Sequence, residues 1–380
     1  MATVAFWAAA VLLAQTYFLY PLWLLLLARV RPGRSGAPAW PAEWPKVSLV
    51  VAAHDEAECI GEKLRNSLAL DYPADRLEVL IGSDGSTDAT DAIVGGQLDP
   101  RVRLSAAPRA GKTSVLNRCI PEARGEIVVL SDANTRIEAG ALKALVRHFE
   151  DADVGVVCGR LQLYNPTRAE YEESAYWKYE SWLKALEGTQ GAVVGANGGL
   201  YALRRDLFTR LPPSTIVDDF VIPLRLLDEG YDVLYEPAAL AWEETTEDYG
   251  REFGRRARIA AGNFQSLGLV PGLLSPFRGF PAFAFWSHKV LRWFAPALML
   301  VALAANLLLL QQPFYRLTLA AQLGFYALAW LGSLSIGPSL LRRIAGVAYY
   351  FVTMNLAMVV GFWRFVRNSQ AAAWERTARV

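Results

Sequence analysis

The sequence predicts an α/β domain with flanking helices, preceded and followed in the chain by α-helical transmembrane segments. Two observations lead to this prediction. In the middle of the chain, strand patterns alternate with helical patterns, and at both ends uncharged apolar runs are long enough to cross a bilayer, which takes about 20 residues. The 380 residues suffice for one domain of ordinary size and for these additional helices.

The apolar runs at the two ends predict one N-terminal and three C-terminal transmembrane helices, in residues 1–30 and 292–366. The uncharged runs are Ala2–Ala28, Trp293–Tyr315, Leu317–Leu341 and Ile344–Trp363. A cleaved signal peptide is the alternative for the first run, because a small-residue "APA" follows at 37–39. However, a signal peptide carries positive charge before its apolar core, whereas here Arg29, Arg31 and Arg34 come after it. We therefore expect an anchor whose C-terminal flank is cytoplasmic.

This arrangement predicts a multi-pass protein of the inner (cell) membrane with a cytoplasmic domain and both termini outside. The pair Arg342 and Arg343 then faces inward, as the positive-inside rule requires. The tail, residues 367–380, follows Arg364 and contains further arginines, and these would face outward against the rule. Either one apolar run does not cross the membrane or the rule is broken here.

Composition excludes several classes of protein. A net charge of +1 is too small for a dedicated nucleic-acid binder, so we expect no nucleic-acid partner. The three cysteines, Cys59, Cys119 and Cys158, have no metal-type spacing and form no even-numbered set, which favours buried thiols in a reducing cytoplasm.

The polar middle of the chain has the pattern of βαβ units. Residues 31–46 form a linker rich in Pro, Gly and Trp, so the domain begins at Val47. Buried-type strands are expected at 47–53, 77–84 and 125–132, and helices at 56–70 and 86–98, the second with Ser86 or Thr87 as its N-cap. Strands that alternate with helices indicate a parallel sheet.

Polar residues follow the strands and should converge at one edge of this sheet, where α/β domains bind ligands. They are His54, Asp55, Glu56, Asp84 and Asp132. A dinucleotide cofactor is not expected, because the first turn has no glycine, and the P-loop motif lacks its upstream glycine. Acids alone would repel phosphates, so we expect a divalent cation, Mg²⁺ or Mn²⁺, between Asp132 and a diphosphate.

The remaining polar residues complete a site for a nucleotide diphosphate that carries a transferable group. Asn134 can add a neutral oxygen to the metal, and Lys112 can meet the diphosphate as a point charge. Glu56 and Asp84 can accept hydrogen bonds from the base or ribose.

Four segments in this order resemble the GT-A domain of inverting family 2 glycosyltransferases, the membrane-integrated synthases of the cellulose, chitin and hyaluronan type. They are "VVAAHDEAECIGEKLRNSL", "IGSDGSTDAT", "RAGKTSVLN" and "VVLSDAN". The resemblance implies a Rossmann-like mixed sheet in residues 47–248 and a nucleotide-diphosphate sugar as donor, UDP-linked, contacted by Ala53 and His54. It also implies a general base in "VDDF", which is Asp219, with Asp218 beside it. His54 either stacks on the base or is a solvated loop histidine.

On the acceptor side, "GANGGLYALRR" resembles a loop of the family in which small residues admit a sugar. Its candidate residues are Asn197, Gly198 and Gly199, and the alternative is an ordinary tight turn. Trp182, or else Trp177, is a candidate platform for sugar stacking. The alternative is that Tyr171, Ala175, Trp182 and Leu186 form a helical stripe that packs into the core.

Residues 249–291 are expected to form amphipathic helices at the membrane interface. The family carries Gln-x-x-Arg-Trp there, and in this chain Arg255, Arg258 and Ile259 occupy those three positions. The arginines imply diphosphate binding, while the missing Trp puts processive synthesis in doubt. A basic helix that only lies on anionic lipid is the alternative.

Three functions are compatible with these patterns. The first is transfer of sugars to a growing polysaccharide that is exported through the helices, and the second is transfer of a single sugar to a membrane lipid. The third is a non-enzymatic nucleotide sensor, which would not need a general base. Membrane lipids are expected partners, and the patterns carry no information on oligomeric state.

Overall fold

The computed structural model describes residues 1–30, 33, 38–164, 175–244, 249–334 and 338–370, without the side chains of 175, 176 and 249–251. The chain divides into two compact units. One, the α/β unit, contains the described residues between 24 and 244 and those of 266–282. The other, the helical unit, contains residues 1–23, 249–265 and 283–370. The units are described separately below.

The α/β unit is built on an eight-stranded sheet in the order β3-β2-β1-β4-β7-β6-β8-β5. The strands are β1 Val47–Ala53, β2 Leu77–Asp84, β3 Val102–Ala107, β4 Ile127–Asp132, β5 Arg136–Ile137, β6 Val154–Tyr164, β7 Tyr201–Arg204 and β8 Asp232–Glu244. The neighbours from β3 to β4 are parallel, whereas β7 is antiparallel to both β4 and β6. The mixed sheet is therefore confirmed. The parallel arrangement expected from the β–α alternation holds from β3 to β4 and between β6 and β8. It fails at β7, which runs antiparallel to both of its neighbours although the alternation of strands and helices continues to β8.

Helices cover both faces of this sheet and begin where the chain leaves the strands. Their bounds are Ile60–Leu68, Thr90–Gly95, Lys112–Glu122, Ala141–Val146, Ala175–Thr189 and Asp218–Glu229. Every residue of β1 and β2 is buried, which explains their continuous apolar runs. The second predicted helix begins later than expected, at Thr90 after Ala89, so neither Ser86 nor Thr87 is its N-cap. The Asp88 carboxylate accepts the Thr90 N–H instead, at 2.9 Å.

The strand register brings the predicted site residues to one edge. Ala52 of β1 pairs with Gly82 of β2 and with Asp132 of β4, so the carboxyl ends of the three strands are level. This level edge is where the chain places the turns that carry the polar side chains.

Among the residues that the structure describes, three helices are long and apolar enough to cross a membrane: Ala2–Val30, Pro313–Leu334 and Ser339–Val366. The first of these includes a π-helical stretch, Gln15–Leu19. The second helix begins four residues before the start of the predicted run Leu317–Leu341 and ends seven residues before the end of that run. The third helix contains the whole predicted run Ile344–Trp363.

The first predicted C-terminal crossing differs from the expectation. The run that starts at Trp293 forms helix Ala295–Leu308, which has 14 residues and is followed by a break before Pro313. A helix of this length spans about 21 Å, less than the hydrocarbon core of about 30 Å. Together with residues Phe280–Trp293 it forms a pair bent by 65°, as in a broken span or a re-entrant loop. The number of crossings and the orientation stay predictions.

The expected interfacial region begins with helix Tyr249–Ser266 in the helical unit. Two short 3₁₀ turns follow, Pro271–Leu274 and Pro276–Arg278, both with proline in the first turn.

Candidate active site

A cluster of charges lies at the level edge of the sheet. Lys112 is the first residue of its helix, and its Nζ donates to Asp132 Oδ1 at 2.7 Å and lies 3.7 Å from Asp218 Oδ2. Gly111, directly before the helix, has φ of +93°, a conformation that side chains rarely adopt. The glycine therefore permits the turn that directs Lys112 toward Asp132.

Asp84 holds this turn. Its carboxylate accepts the backbone N–H groups of Ala110 at 2.6 Å and Gly111 at 3.0 Å, and Asp84 is 2% exposed. The side chain predicted to contact the nucleotide thus fixes the residues that precede Lys112. Its direct role toward the nucleotide stays a prediction.

The two acids of "VDDF" begin helix Asp218–Glu229. Asp218 is buried, and the backbone carbonyl of Asp219 accepts the N–H of Ala196 at 3.1 Å, which ties the helix to the loop of Asn197 and Gly198. Burial raises the pKa of the Asp219 carboxyl to about 6, and the negative charge of Asp218 adds to this rise against the opposing charge of Lys112.

Gly198 faces the whole cluster. A Cβ atom placed on Gly198 would lie 3.1 Å from Asp132 Oδ2, 3.3 Å from Asp219 Oδ2 and 3.6 Å from Lys112 Nζ. A small cavity lined by Lys112, Asp132, Gly198 and Asp218 opens at this point. The structure therefore brings together residues predicted separately for the metal, the diphosphate, the base and the acceptor.

Electrostatics keep the central pair ionised. Burial opposes ionisation of Asp132, but the charge of Lys112 and its hydrogen bond lower the pKa of this carboxyl below its usual value. Burial likewise opposes the charge of Lys112, but Asp132, Asp218 and Asp219 raise the pKa of its ammonium above the usual value. The cluster therefore presents one fixed cation among three carboxyl groups.

The loop after β1 is held to the loop after β2. His54 is 7% exposed, and its Nδ1–H donates to the Asp84 backbone carbonyl at 2.9 Å, so the solvated-histidine interpretation is wrong. Asp55 has a positive φ of 52° and accepts the Thr87 N–H at 2.6 Å. Glu56 Oε2 accepts the Cys59 thiol at 3.1 Å. These residues and the buried Ala53 fix the shape of the edge, and their contacts with a nucleotide stay predictions.

The helix Ala175–Thr189 contributes residues that the sequence patterns did not single out. Lys184 is 6% exposed and its Nζ donates to Asn197 Oδ1 at 2.6 Å, while Glu187 is fully buried and accepts the Val194 N–H at 3.3 Å. Lys184 also lowers the pKa of Asp219. A search for apolar periodicity does not detect buried charges, and only the i, i+3 spacing of Lys184 and Glu187 hinted at a shared face.

The two tryptophans of this helix differ. Trp177 Nε1 donates to the Leu161 carbonyl at 2.9 Å and packs against the core, whereas Trp182 is 38% exposed. The core-stripe interpretation is therefore wrong for Trp182, because the buried face of the helix runs through Leu183 instead. Tyr171 and the side chain of Ala175 lie outside the described residues.

The donor set at the edge fits a cation that arrives with a diphosphate. The Asn134 amide N–H donates to Glu243 Oε1 at 3.2 Å, which orients the amide. Of the two predicted metal ligands, Asp132 supplies a carboxylate and Asn134 supplies an amide oxygen. Within the described ranges there is no cluster of three or more His, Cys, Asp or Glu suited to hold a metal ion. Two oxygen ligands suit Mg²⁺ or Mn²⁺, whose other ligands come from phosphate and water.

The predicted diphosphate arginines lie in helix Tyr249–Ser266 of the helical unit. Arg255 is exposed and its guanidinium pairs with Glu252 at 2.9 Å, and Arg256 pairs with the same carboxylate at 2.6 Å. Arg258 is half-buried, and the side chain of Arg251 lies outside the described residues. Diphosphate binding by Arg255 and Arg258 stays a prediction.

Comparison with known proteins decides the family. A family model described as "Glycosyltransferase like family 2" matches residues 45–262, more than half of the chain. The chain belongs to glycosyltransferase family 2. The chain resembles a mannosyltransferase from Pyrobaculum calidifontis, whose structure was solved with GDP-Man and Mn²⁺, at a TM-score of 0.69 and 22% identity over 95% of this chain and 98% of that one. This glycosyltransferase therefore has the GT-A fold, and its assignment as an enzyme is confirmed.

Three curated relatives include one named for a lipid product and one named for a polysaccharide product. A probable glycosyltransferase of Bacillus subtilis, YdaM, is 28% identical over 58% of this chain and 56% of its own length. A beta-monoglucosyldiacylglycerol synthase of Synechocystis is 32% identical over 48% of this chain and 40% of its own. A poly-beta-1,6-N-acetyl-D-glucosamine synthase of Staphylococcus aureus is 26% identical over 58% and 55%. The glycosyltransferase spans about half the length of the curated relatives it matches.

Proposed function

We propose that this glycosyltransferase moves a sugar, with inversion, from a nucleotide-diphosphate sugar to a growing polysaccharide at the membrane. The observation that carries the proposal is the surroundings of Gly198. A Cβ atom placed on this glycine would lie within 3.6 Å of a carboxylate suited to metal, a carboxyl suited to act as base, and an ammonium. Because Gly198 has no side chain, this space is left for an acceptor hydroxyl to approach an anomeric carbon.

In the proposed reaction the Asp219 carboxylate takes the proton of the acceptor hydroxyl as the oxygen attacks the anomeric carbon. The bond between that carbon and the diphosphate oxygen breaks, and the electron pair leaves with the nucleoside diphosphate. Lys112 stabilises the negative charge that develops on the leaving group. A single displacement of this kind inverts the anomeric centre.

Asp132 and Asn134 would hold a divalent cation, which neutralises diphosphate charge when bound. Asp84 and the residues of the loop Ala53–Glu56 would bind the nucleoside, and Asn197 and Gly199 would face the acceptor. Trp182 would offer an exposed aromatic face to an acceptor sugar. Arg255 and Arg258 would contribute positive charge to the diphosphate.

Transfer of a single sugar to a membrane lipid is the second candidate. Two observations favour it: Ile259 stands where polymer synthases have Trp, and one of the relatives is a glucosyldiacylglycerol synthase. For either acceptor, we place the α/β unit in the cytoplasm of a multi-pass membrane protein.

The test uses the full chain purified in detergent with Mn²⁺ or Mg²⁺ and a panel of UDP- and GDP-linked sugars. Release of nucleoside diphosphate and the size of the product are measured with β-1,6-linked N-acetylglucosamine oligomers or diacylglycerol as acceptors. A polymer made by the wild type and lost in Asp219→Asn supports the first candidate, and one labelled lipid product supports the second. Nucleotide binding without release from any donor would contradict both.

A further inference from the structure

A lysine beneath the active site joins its donor and acceptor sides. Lys63 lies on helix Ile60–Leu68 and is 2% exposed. Its Nζ donates to Ser131 Oγ at 2.7 Å and to the backbone carbonyl of Thr135 at 2.6 Å. These two residues enclose the segment of Asp132 and Asn134, so one ammonium group fixes both ends of the proposed metal-binding segment.

The same contact continues to the acceptor loop. Ser131 Oγ donates to the backbone carbonyl of Gly199 at 2.7 Å. A hydroxyl has one proton to donate, so Ser131 accepts from Lys63 and donates to Gly199. We call the chain of hydrogen bonds Lys63–Ser131–Gly199 the lysine bridge.

Stability alone does not explain a lysine at this position. A buried ammonium carries a desolvation cost, and burial lowers the pKa of Lys63 to about 7 although the charge of Asp132 opposes this fall. Other contacts already attach the helix to this segment, since Asn66 exchanges two hydrogen bonds with Ile137, both at 2.8 Å.

The geometry instead indicates control of a distance. Asp132 directly follows Ser131, and Gly198 directly precedes Gly199, so the lysine bridge connects the neighbours of two residues that face each other in the site. A Cβ atom placed on Gly198 would lie 3.1 Å from Asp132 Oδ2. Small displacements of reacting groups lower transfer rates steeply, because the productive geometry must be held before reaction.

We propose that Lys63 is a positioning residue for glycosyl transfer, which holds Asp132 and the Gly198–Gly199 backbone at one spacing through the lysine bridge. This inference rests on the proposed function of the site. The bridge acts on the relation between the donor and the acceptor sides. Its loss should therefore lower transfer to an acceptor more than it lowers hydrolysis of the donor by water.

The test compares three variants, Ser131→Ala, Lys63→Met and the combination of the two, with Ser67→Ala as the control. Ser67 is a matched control because it is a buried serine of the helix that carries Lys63, and its hydroxyl donates to the Lys63 backbone carbonyl rather than to the bridge. Transfer, donor hydrolysis without acceptor, and the Kd of Mn²⁺ with nucleoside diphosphate are measured on the full chain in detergent. Amide hydrogen exchange of residues 131–135 and 195–200 gives a second readout that does not depend on activity.

Ser131→Ala removes both hydrogen bonds of the bridge, so it should lower transfer about tenfold or more and lower hydrolysis less. Lys63→Met should lower transfer further and speed exchange in both segments. The double variant should be no slower than Lys63→Met by more than about twofold, because both substitutions break the same bridge. Ser67→Ala should do none of this.

Three results would overturn the inference: transfer in Ser131→Ala equal to that in Ser67→Ala, transfer and hydrolysis lowered by the same factor, or losses that multiply in the double variant. If Lys63→Met does not fold, the comparison of Ser131→Ala with Ser67→Ala decides. A wild-type chain that transfers no sugar defeats the proposed function instead, and the exchange measurement then decides whether the two segments are coupled.

Discussion

Replacement of Asp219 by Asn should have opposite effects on activity and stability. The carboxyl has a pKa of about 6 in the folded chain, against an ordinary value of 3.8. As general base it must be ionised, and a pKa of about 6 gives roughly ten ionised groups to one neutral at pH 7 and the reverse at pH 5. The values of kcat/KM for the donor should therefore fall about tenfold per pH unit below pH 6, and Asp219→Asn should lose about 10²–10⁴ in rate.

The stability effect follows from the same shift. An unfolded carboxyl ionises at lower pH than the folded one, so stability is lost as pH rises from about 4 to about 6 and stays lost above it. The shift corresponds to at most about 3 kcal/mol. Asp219→Asn removes this cost, so its thermal unfolding midpoint should exceed that of the wild type at pH 7 and equal it near pH 4.

Asp218→Asn is the matched control, since it alters a neighbouring carboxyl on the same turn. It removes a negative charge that raises the pKa of Asp219, so the inflection of kcat/KM should move to lower pH. The assay is release of nucleoside diphosphate between pH 4.5 and 8, with calorimetric melting of the same samples. The reasoning is refuted if Asp219→Asn keeps wild-type activity, or if it melts below the wild type at pH 7.

Three further substitutions test other parts of the site. Gly198→Ala places a methyl group 3.1 Å from the Asp132 carboxylate, so transfer should drop at least tenfold while the melting temperature changes little; unchanged transfer would show that the acceptor lies elsewhere. Lys112→Met should raise the Kd for nucleoside diphosphate about 10–100-fold by calorimetry and, because Lys112 lowers the pKa of Asp132, move Mn²⁺ binding to higher pH; an unaltered Kd would contradict this. Asp84→Ala leaves two backbone N–H groups without their acceptor, so both donor affinity and melting temperature should fall, and loss of neither would refute its structural role.

The part of the sheet from β3 to β4 could be predicted because β1 and β2 are buried on both faces. Such strands form continuous β-branched runs, and the predicted bounds of Val47–Ala53 and Leu77–Asp84 are those of the structure. Convergence of the acids follows from parallel register alone. The antiparallel β7 could not be predicted from local pattern, since only four residues form it and its direction depends on partners far away in the chain.

The sequence patterns did not predict the buried charged residues around the site. Lys63, Lys184 and Glu187 occupy positions that helical periodicity assigns to solvent or leaves undefined, yet each is less than 9% exposed. Their burial depends on hydrogen-bond partners in loops outside their own helices. Thr135 and Asn197 accept from the two lysines, and Val194 donates to Glu187. Residue type and spacing record the groups that react, but not the groups that hold them in place.

The helices Phe280–Trp293 and Ala295–Leu308 form a pair bent by 65°, and whether this pair crosses the membrane decides whether the number of crossings is even or odd. If the bent pair crosses, four crossings put Arg364 and Arg367 on the side opposite to the segment that follows Ala2–Val30 and precedes β1. If the pair returns to the side from which it entered, only three crossings remain, and these arginines lie on the same side as Arg29. The second outcome satisfies the positive-inside rule for the last helix, at the expense of Arg342 and Arg343. Whether this bent pair crosses thus decides on which side of the membrane the basic end of the protein lies, and labelling of Ser369→Cys with a membrane-impermeant thiol reagent would measure that side.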